Sequence, residues 1–287
     1  MIDPAQRRRA TIVIVAFASL FAGCTVCWVN RHAILAYLFG PPQAVLTEVY
    51  DERPGGPVFD HSPLDGLLSR HVDAEGWIDY EGLLAETSVL DGYLDSIAGV
   101  PFELLGRSEK LALLINAYNA FTLKLILEHY PIGGIRNIPS ARRWEAVRWN
   151  VGGVEWSLNQ IEHEQIRPKF SEPRIHFALV CAAVGCPPMR SGAYSASHLE
   201  AQLHEQAEYV HRHRTWFELD AGAARARLTR LYLWYGDDFA QSDDSVLEFV
   251  ARYSPGLREL LDAGATPEIE WIDYDWKLNG TQNRRPR

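Results

Sequence analysis

At 287 residues, 47% hydrophobic and 23% charged, the chain has ordinary globular composition and is long enough to bury one large core or two small ones. The formal charge of −9 becomes −12 once residues 1–40, with four basic and one acidic residue, are set aside. A domain that acidic repels phosphate backbones, which argues against nucleic acid as a partner.

Residues 11–29 hold no charge over nineteen positions. At ~1.5 Å per residue such a helix crosses a ~30 Å hydrocarbon layer, so one N-terminal transmembrane helix is predicted, with the membrane as its partner. Arg7, Arg8 and Arg9 before it, against Arg31 after it, place the N-terminus in the cytoplasm and the main domain outside. Phe21-Ala-Gly-Cys24 also resembles a lipoprotein processing box, with Phe21 in place of the usual leucine, so lipidation at Cys24, or ordinary cleavage, are the alternatives. All three readings are extracytoplasmic. Four regions follow: a cytoplasmic Arg cluster and anchor (1–40), a Pro/Gly-rich linker (41–57), a globular domain (58–280) and a basic tail (281–287).

Leu64, Leu67, Leu68 and Val72 recur at helical spacing, as do Leu83, Leu84, Leu90, Tyr93, Leu94 and Ile97. Residues 109–129, capped by Ser108, form the strongest helical pattern, apolar nearly all round and therefore buried. Asn116 and Asn119 interrupt it on one face, and as buried amides both must hold partners, either backbone or substrate. Alternating Trp149/Val151 and Val154/Trp156 around Gly152-Gly153 predict a β-hairpin that pairs Val151 with Val154 and Trp149 with Trp156. Ser157 or Asn159 then caps a short helix ended by Pro168, on which Asn159, His163 and Arg167 share a face while Glu162 points elsewhere.

Residues 175–180 are a short apolar run, expected as a buried strand, with His176 near its start and Cys181 at its end. Strand alternation sets those two on opposite faces, so a site needs several elements. Gly185-Cys186-Pro187 is a turn, and Ser197 to Glu200 has capping-box spacing for the next helix. A strand near 216–219, an aromatic segment closed by Gly236-Asp-Asp, a helix near 245–253 and a last strand at 269–272 complete the domain. The fold class expected is α+β, a single domain with helices packed on a mostly antiparallel sheet.

Leu114-Ile-Asn-Ala-Tyr-Asn-Ala120, Ser157-Leu-Asn-Gln-Ile-Glu-His163 with Arg167, His176-Phe-Ala-Leu-Val-Cys181 with Gly185-Cys-Pro187, and Tyr274-Asp-Trp-Lys-Leu-Asn279 follow in that order over roughly residues 60–280. Together they resemble the family catalogued as domain of unknown function 547. The resemblance implies that Asn116, Asn119, Glu162, His163, Arg167, His176, Cys181, Cys186, Asp275 and Asn279 occupy its motif positions, and so a shared site.

Four functions compete. A thiol hydrolase or transferase needs a thiolate, a histidine and oxyanion donors, which Cys181 or Cys186, His163 or His176, Glu162 or Asp275, Arg167 and the Asn116/Asn119 pair supply by type. A thiol-disulfide function or structural bridge needs only the two cysteines, which tend to be oxidised outside the cytoplasm. A zinc site of His163, His176, Cys181 and Cys186 suits the ligand types but lacks a standard spacing, and no metal or cofactor is assigned. A non-enzymatic envelope module binding a small molecule or peptide uses the same cluster to hold loops.

Overall fold

The computed structural model describes residues 41–285, and the expected anchor within residues 1–40 lies outside them. Residues 43–57 form no helix or strand and lie against the globular part: Val49 N–H donates to Lys169 O at 3.1 Å, Glu48 pairs with Arg107 at 3.0 Å, and the Gln43 amide donates to Asp237 at 2.6 Å. Helices α1 (Ser62–His71), α2 (Tyr80–Ala85) and α3 (Thr87–Ala98) lead into the long α4 (Arg107–Leu127).

Helix α4 is apolar on every face because it is surrounded on every face. Of its residues, Arg107, Ser108, Glu109 and Lys124 alone are not buried. It is long and apolar enough to cross a bilayer, yet it lies inside the protein as its core helix. It begins slightly before the expected cap. The Ser108 N–H and hydroxyl both go to the carboxylate of Glu52, an acid that favours the positive end of the helix.

After the turn α5 (Ser140–Arg143), strands β1 (Trp149–Val151) and β2 (Val154–Trp156) pair in the register the sequence predicts, Trp149 with Trp156 and Val151 with Val154. Gly152 and Gly153 take φ of 62° and 85°, which such a tight hairpin loop requires. The chain continues through α6 (Leu158–Gln160), α7 (Ile175–Ala178), α8 (Leu199–Arg212), β3 (Phe217–Asp220) and β4 (Arg225–Leu228). Helices α9 (Leu231–Trp234), α10 (Gly236–Asp243), α11 (Val246–Ala251) and α12 (Pro255–Asp262) precede β5 (Glu268–Trp271).

Two expectations need correction. The mixture of helix and strand is α+β, but with 48% helix and 9% strand the sheets are small rather than one broad sheet under the helices. A two-stranded hairpin and a three-stranded sheet stand apart, the latter with β3–β4 antiparallel and β4–β5 parallel. The core is helical. The second correction is the run 175–180, which is a helical turn (α7) followed by an extended Leu179 rather than a strand. A continuous apolar run signals burial without distinguishing a strand from a buried helix.

The peptide groups of this run find a side chain instead of a neighbouring strand. Asn119 Nδ2 donates to Ala178 O and Val180 N–H donates to Asn119 Oδ1, each at 2.9 Å. Asn116 treats Tyr194 the same way, at 2.8 and 2.9 Å. Both amides of α4 therefore act as two-point clamps on loop backbone. Segment α7 also joins two cores: Ile175 and Ala178 pack with α4, while Phe177 packs with Trp216, Tyr232, Phe239 and Phe249.

Replacing Asn119 with Ala leaves Ala178 O and Val180 N–H buried without partners, at about 1–3 kcal/mol per group. Urea unfolding is expected to show that loss. Burial also lowers the pKa of both His61 and His211 to about 4. Unfolded imidazoles titrate near 6.5, so below that pH the unfolded chain takes up protons that the folded one does not. The contribution is complete above about pH 6.5 and is lost as pH falls toward 4, at about 1.4 kcal/mol per pH unit for each group. Urea midpoints measured across that range are expected to fall, and to fall less steeply in His211→Gln.

Candidate functional site

Ser157 opens α6 with a capping box: its hydroxyl accepts from Gln160 N–H at 3.1 Å and its N–H donates to the Gln160 side chain at 3.0 Å. The helix then widens into a π turn over Ile161–Ile166, with Arg167 N–H donating to Glu162 O at 3.0 Å. In a regular helix Glu162 points away from Arg167. The extra residue in the wider turn shifts the register, and Glu162 is buried beside His163 and Arg167, while Asn159 leaves the group and donates to Glu145. π turns are frequent at functional sites because they re-aim side chains in this way.

The residue that organises the cluster is Asp238, in the first turn of α10 and fully buried. Arg167 grips it with two parallel bonds, Nε at 2.7 Å and Nη2 at 2.8 Å, and His176 Nε2 donates to it at 2.8 Å. Burial alone raises a carboxyl pKa, but these donors outweigh it and hold Asp238 at about 2. The His176 ring stacks on Tyr235 with centroids 3.8 Å apart. Burial pushes His176 downward despite Asp238, so its imidazole is neutral.

Arg167 Nη1 also lies 3.0 Å from His163 Nδ1. A guanidinium has no acceptor, so His163 Nδ1 must accept and its proton sits on Nε2. Burial, with Arg167 nearby, lowers this imidazole as well. The Glu162 carboxylate accepts from the Tyr235 hydroxyl at 2.7 Å, and the Tyr118 hydroxyl stands against it. Burial raises the Glu162 pKa, and His163, His176, Tyr235 and Arg167 together hold it below its ordinary value. Burial and the Glu162 charge push the phenols of Tyr118, Tyr235 and Tyr274 upward, keeping all three protonated.

Cys181 and Cys186 stand at disulfide distance, with Cα atoms 6.4 Å apart. The Tyr274 hydroxyl lies 3.1 Å from Cys181 Sγ and 3.0 Å from Cys186 Sγ, and so links the sulfurs to the Glu162 neighbourhood. Between the cysteines, Ala182 takes a φ of 59°, costing roughly 1–2 kcal/mol for a non-glycine residue. The chain after the last strand holds this loop by backbone bonds: Val184 N–H to Lys277 O at 2.9 Å, Gly185 N–H to Asp275 O at 2.8 Å and Asn279 N–H to Ala182 O at 3.1 Å.

The structure thus brings Glu162, His163, Arg167 and His176 together and sets the cysteine pair beside them through Tyr274. It does not bring Asp275 in by its side chain, whose oxygens accept from Lys277 N–H at 3.0 Å and from Arg285 at 2.9 Å. Asn116 and Asn119 bond loop backbone, and Asn279 accepts the Tyr80 hydroxyl at 2.8 Å. His163 and His176 meet Arg167 and Asp238 rather than either sulfur. Among the described residues no group of three or more His, Cys, Asp or Glu side chains is arranged to hold a metal ion. A groove of about 520 Å³, lined by Arg107, Glu172, His198, Glu200 and His204 among others, lies away from this cluster.

Tyr118, Tyr235, Asp238 and Tyr274 are the members that sequence reasoning did not single out. A signal for Asp238 exists. It falls three residues after Tyr235 and directly before Phe239, an acid on the apolar side of a helix.

Residues 102–210 match the family model described as "Protein of unknown function, DUF547". The DUF547 segment supplies Tyr118, Glu162, His163, Arg167, His176 and both cysteines, whereas Tyr235, Asp238 and Tyr274 come from beyond it. No curated protein and no solved structure matches the chain.

Asp238→Asn takes from buried Arg167 the carboxylate it grips with two bonds, and a loss of about 3–5 kcal/mol in urea unfolding is expected. Asp237→Asn, at an exposed neighbour, is expected to stay within about 0.5 kcal/mol of the parent.

Proposed function

We propose that the protein is a membrane-tethered, extracytoplasmic binding module in which an oxidised Cys181–Cys186 pair braces one wall of a polar site made by Glu162, His163 and Arg167. One observation carries the reading: the sulfurs stand at disulfide distance and share the Tyr274 hydroxyl, and among the described residues no histidine hydrogen-bonds to them. A thiol nucleophile requires a base or cation beside it. Both candidate imidazoles are committed elsewhere, His163 Nδ1 to Arg167 and His176 Nε2 to Asp238, which favours binding over thiol hydrolysis or transfer. An ionised carboxylate edged by tyrosine hydroxyls and a neutral imidazole suits a small polar molecule or a peptide. Oxidation of the pair accords with the address that residues 1–40 predict, either a retained helix or a lipid anchor at Cys24.

Thiol–disulfide exchange is the second reading, favoured by the partial exposure of Cys181 beside Tyr274. An external thiolate attacks Cys181 Sγ, the bond to Cys186 breaks, and its electron pair leaves on Cys186 Sγ, where the Tyr274 hydroxyl can hydrogen-bond the thiolate.

One preparation tests both readings. Full-length protein is recovered from carbonate-washed membranes, alkylated without reductant and digested with trypsin. The peptide of residues 175–190 carries both cysteines, and is expected unlabelled and two hydrogens lighter than its reduced form. A doubly alkylated peptide rejects the bridge, and release by carbonate rejects a spanning anchor. A stable glutathione adduct on Cys181 in Cys186→Ser, formed with oxidised glutathione, selects exchange over a structural bridge.

A further inference from the structure

Arg136, Arg142 and Arg143 stand out in an acidic domain because no carboxylate among the described residues pairs with them. Among the described residues the other arginines are ion-paired, apart from Arg53, whose guanidinium donates to Glu103 O. Arg136 and Arg143 are instead stacked on indoles. The Arg136 guanidinium lies 5.2 Å from the Trp276 ring centroid and that of Arg143 lies 4.4 Å from Trp144. The two indoles meet edge to face at 6.1 Å. Gly134 permits this approach, since a Cβ there meets Trp276 O at 2.3 Å.

Stacking uses the faces of a guanidinium and leaves its in-plane N–H edge to donate. Arg143 Nε is buried and has no hydrogen-bond partner. Burial and the charge of Arg136 both push the Arg143 pKa downward, so the two cations lie within each other's field. Two neighbouring guanidiniums suit a tetrahedral oxyanion carrying two charges better than a single carboxylate, which one fork can satisfy. The net charge of the domain opposes a polyanion but not one such group. From Trp276 an aromatic row continues to Tyr274 at 4.7 Å and Trp234 at 6.1 Å, ending at the cysteine pair, so a carrier attached to the anion has rings to lie on.

We propose that Arg136 and Arg143, held on Trp276 and Trp144, bind the phosphate group of a phosphate monoester whose carrier lies along the aromatic row toward Tyr274. The test is calorimetric titration of the detergent-solubilised full-length protein with two probes, phenyl phosphate and dihexanoyl phosphatidic acid below its micellar concentration. Saturable one-site binding is expected, weakened at least tenfold in Arg136→Ala and in Arg143→Ala and unchanged in Arg142→Ala, the unpaired neighbour without a described ring beneath it. Tighter binding of phenyl phosphate assigns a soluble ester, and tighter binding of the phosphatidic acid assigns a lipid headgroup. Arg136→Lys and Arg143→Lys preserve charge while removing the fork, and are expected to weaken binding with unchanged thermal melts. Failure of both probes to bind, or equal binding by the folded Arg136 and Arg143 variants, overturns the proposal.

Discussion

The bond set around Asp238 is the constraint on which the site depends. A carboxylate with no solvent exposure is tolerated only when its lone pairs are filled, and Arg167 and His176 fill them with three short bonds. Arg167 ends the π turn and His176 lies in α7, whereas Asp238 lies in α10, 71 and 62 residues further along the chain. Once Arg167 is fixed, its third nitrogen dictates the tautomer of His163. Once His176 is fixed, Tyr235 is stacked beneath it with its hydroxyl on Glu162. The electrostatic character of the cluster, an ionised Glu162 among protonated phenols and neutral imidazoles, follows from that placement.

Backbone far from any sheet raises a second problem, and the helix solves it. The segment 175–180 and the loop at Tyr194 cross the core next to α4 without strand partners. An asparagine amide presents one donor and one acceptor in the geometry of a peptide group, so Asn119 and Asn116 each replace the missing neighbour. This is why a helix otherwise apolar all round carries two amides, and why a chain so rich in helix can route irregular backbone through its interior.

The loop from Cys181 to Cys186 is held three ways: by the sulfur pair, by backbone bonds to residues 275–279, and by the Tyr274 hydroxyl. The sharp turn at Ala182 is sustained by this redundancy. The same residues 274–276 lead away from the sulfurs along an aromatic surface to the stacked arginines. The polar cluster, the cysteine pair and the arginine pair therefore share a scaffold, although the DUF547 segment contains only part of it.

Local patterning by itself determined the hairpin and its register, the burial of most of the long helix within 109–129, a cap at Ser157 or Asn159 and the need for partners at Asn116 and Asn119. Each is set by residues within a turn or two of one another, or by the cost of an unpaired group. Motif order likewise brought Glu162, His163, Arg167, His176 and the two cysteines to attention. Tertiary structure alone decided that 175–180 is a helical turn, because a run buried on all sides has no period to read. It decided that Glu162 faces inward, because a π turn shifts the register that a helical count assumes. It also decided that Tyr274 rather than Asp275 meets the sulfurs, and that Asp238 completes the cluster. Those contacts join positions 62 to 93 residues apart, a separation at which sequence spacing carries no geometry.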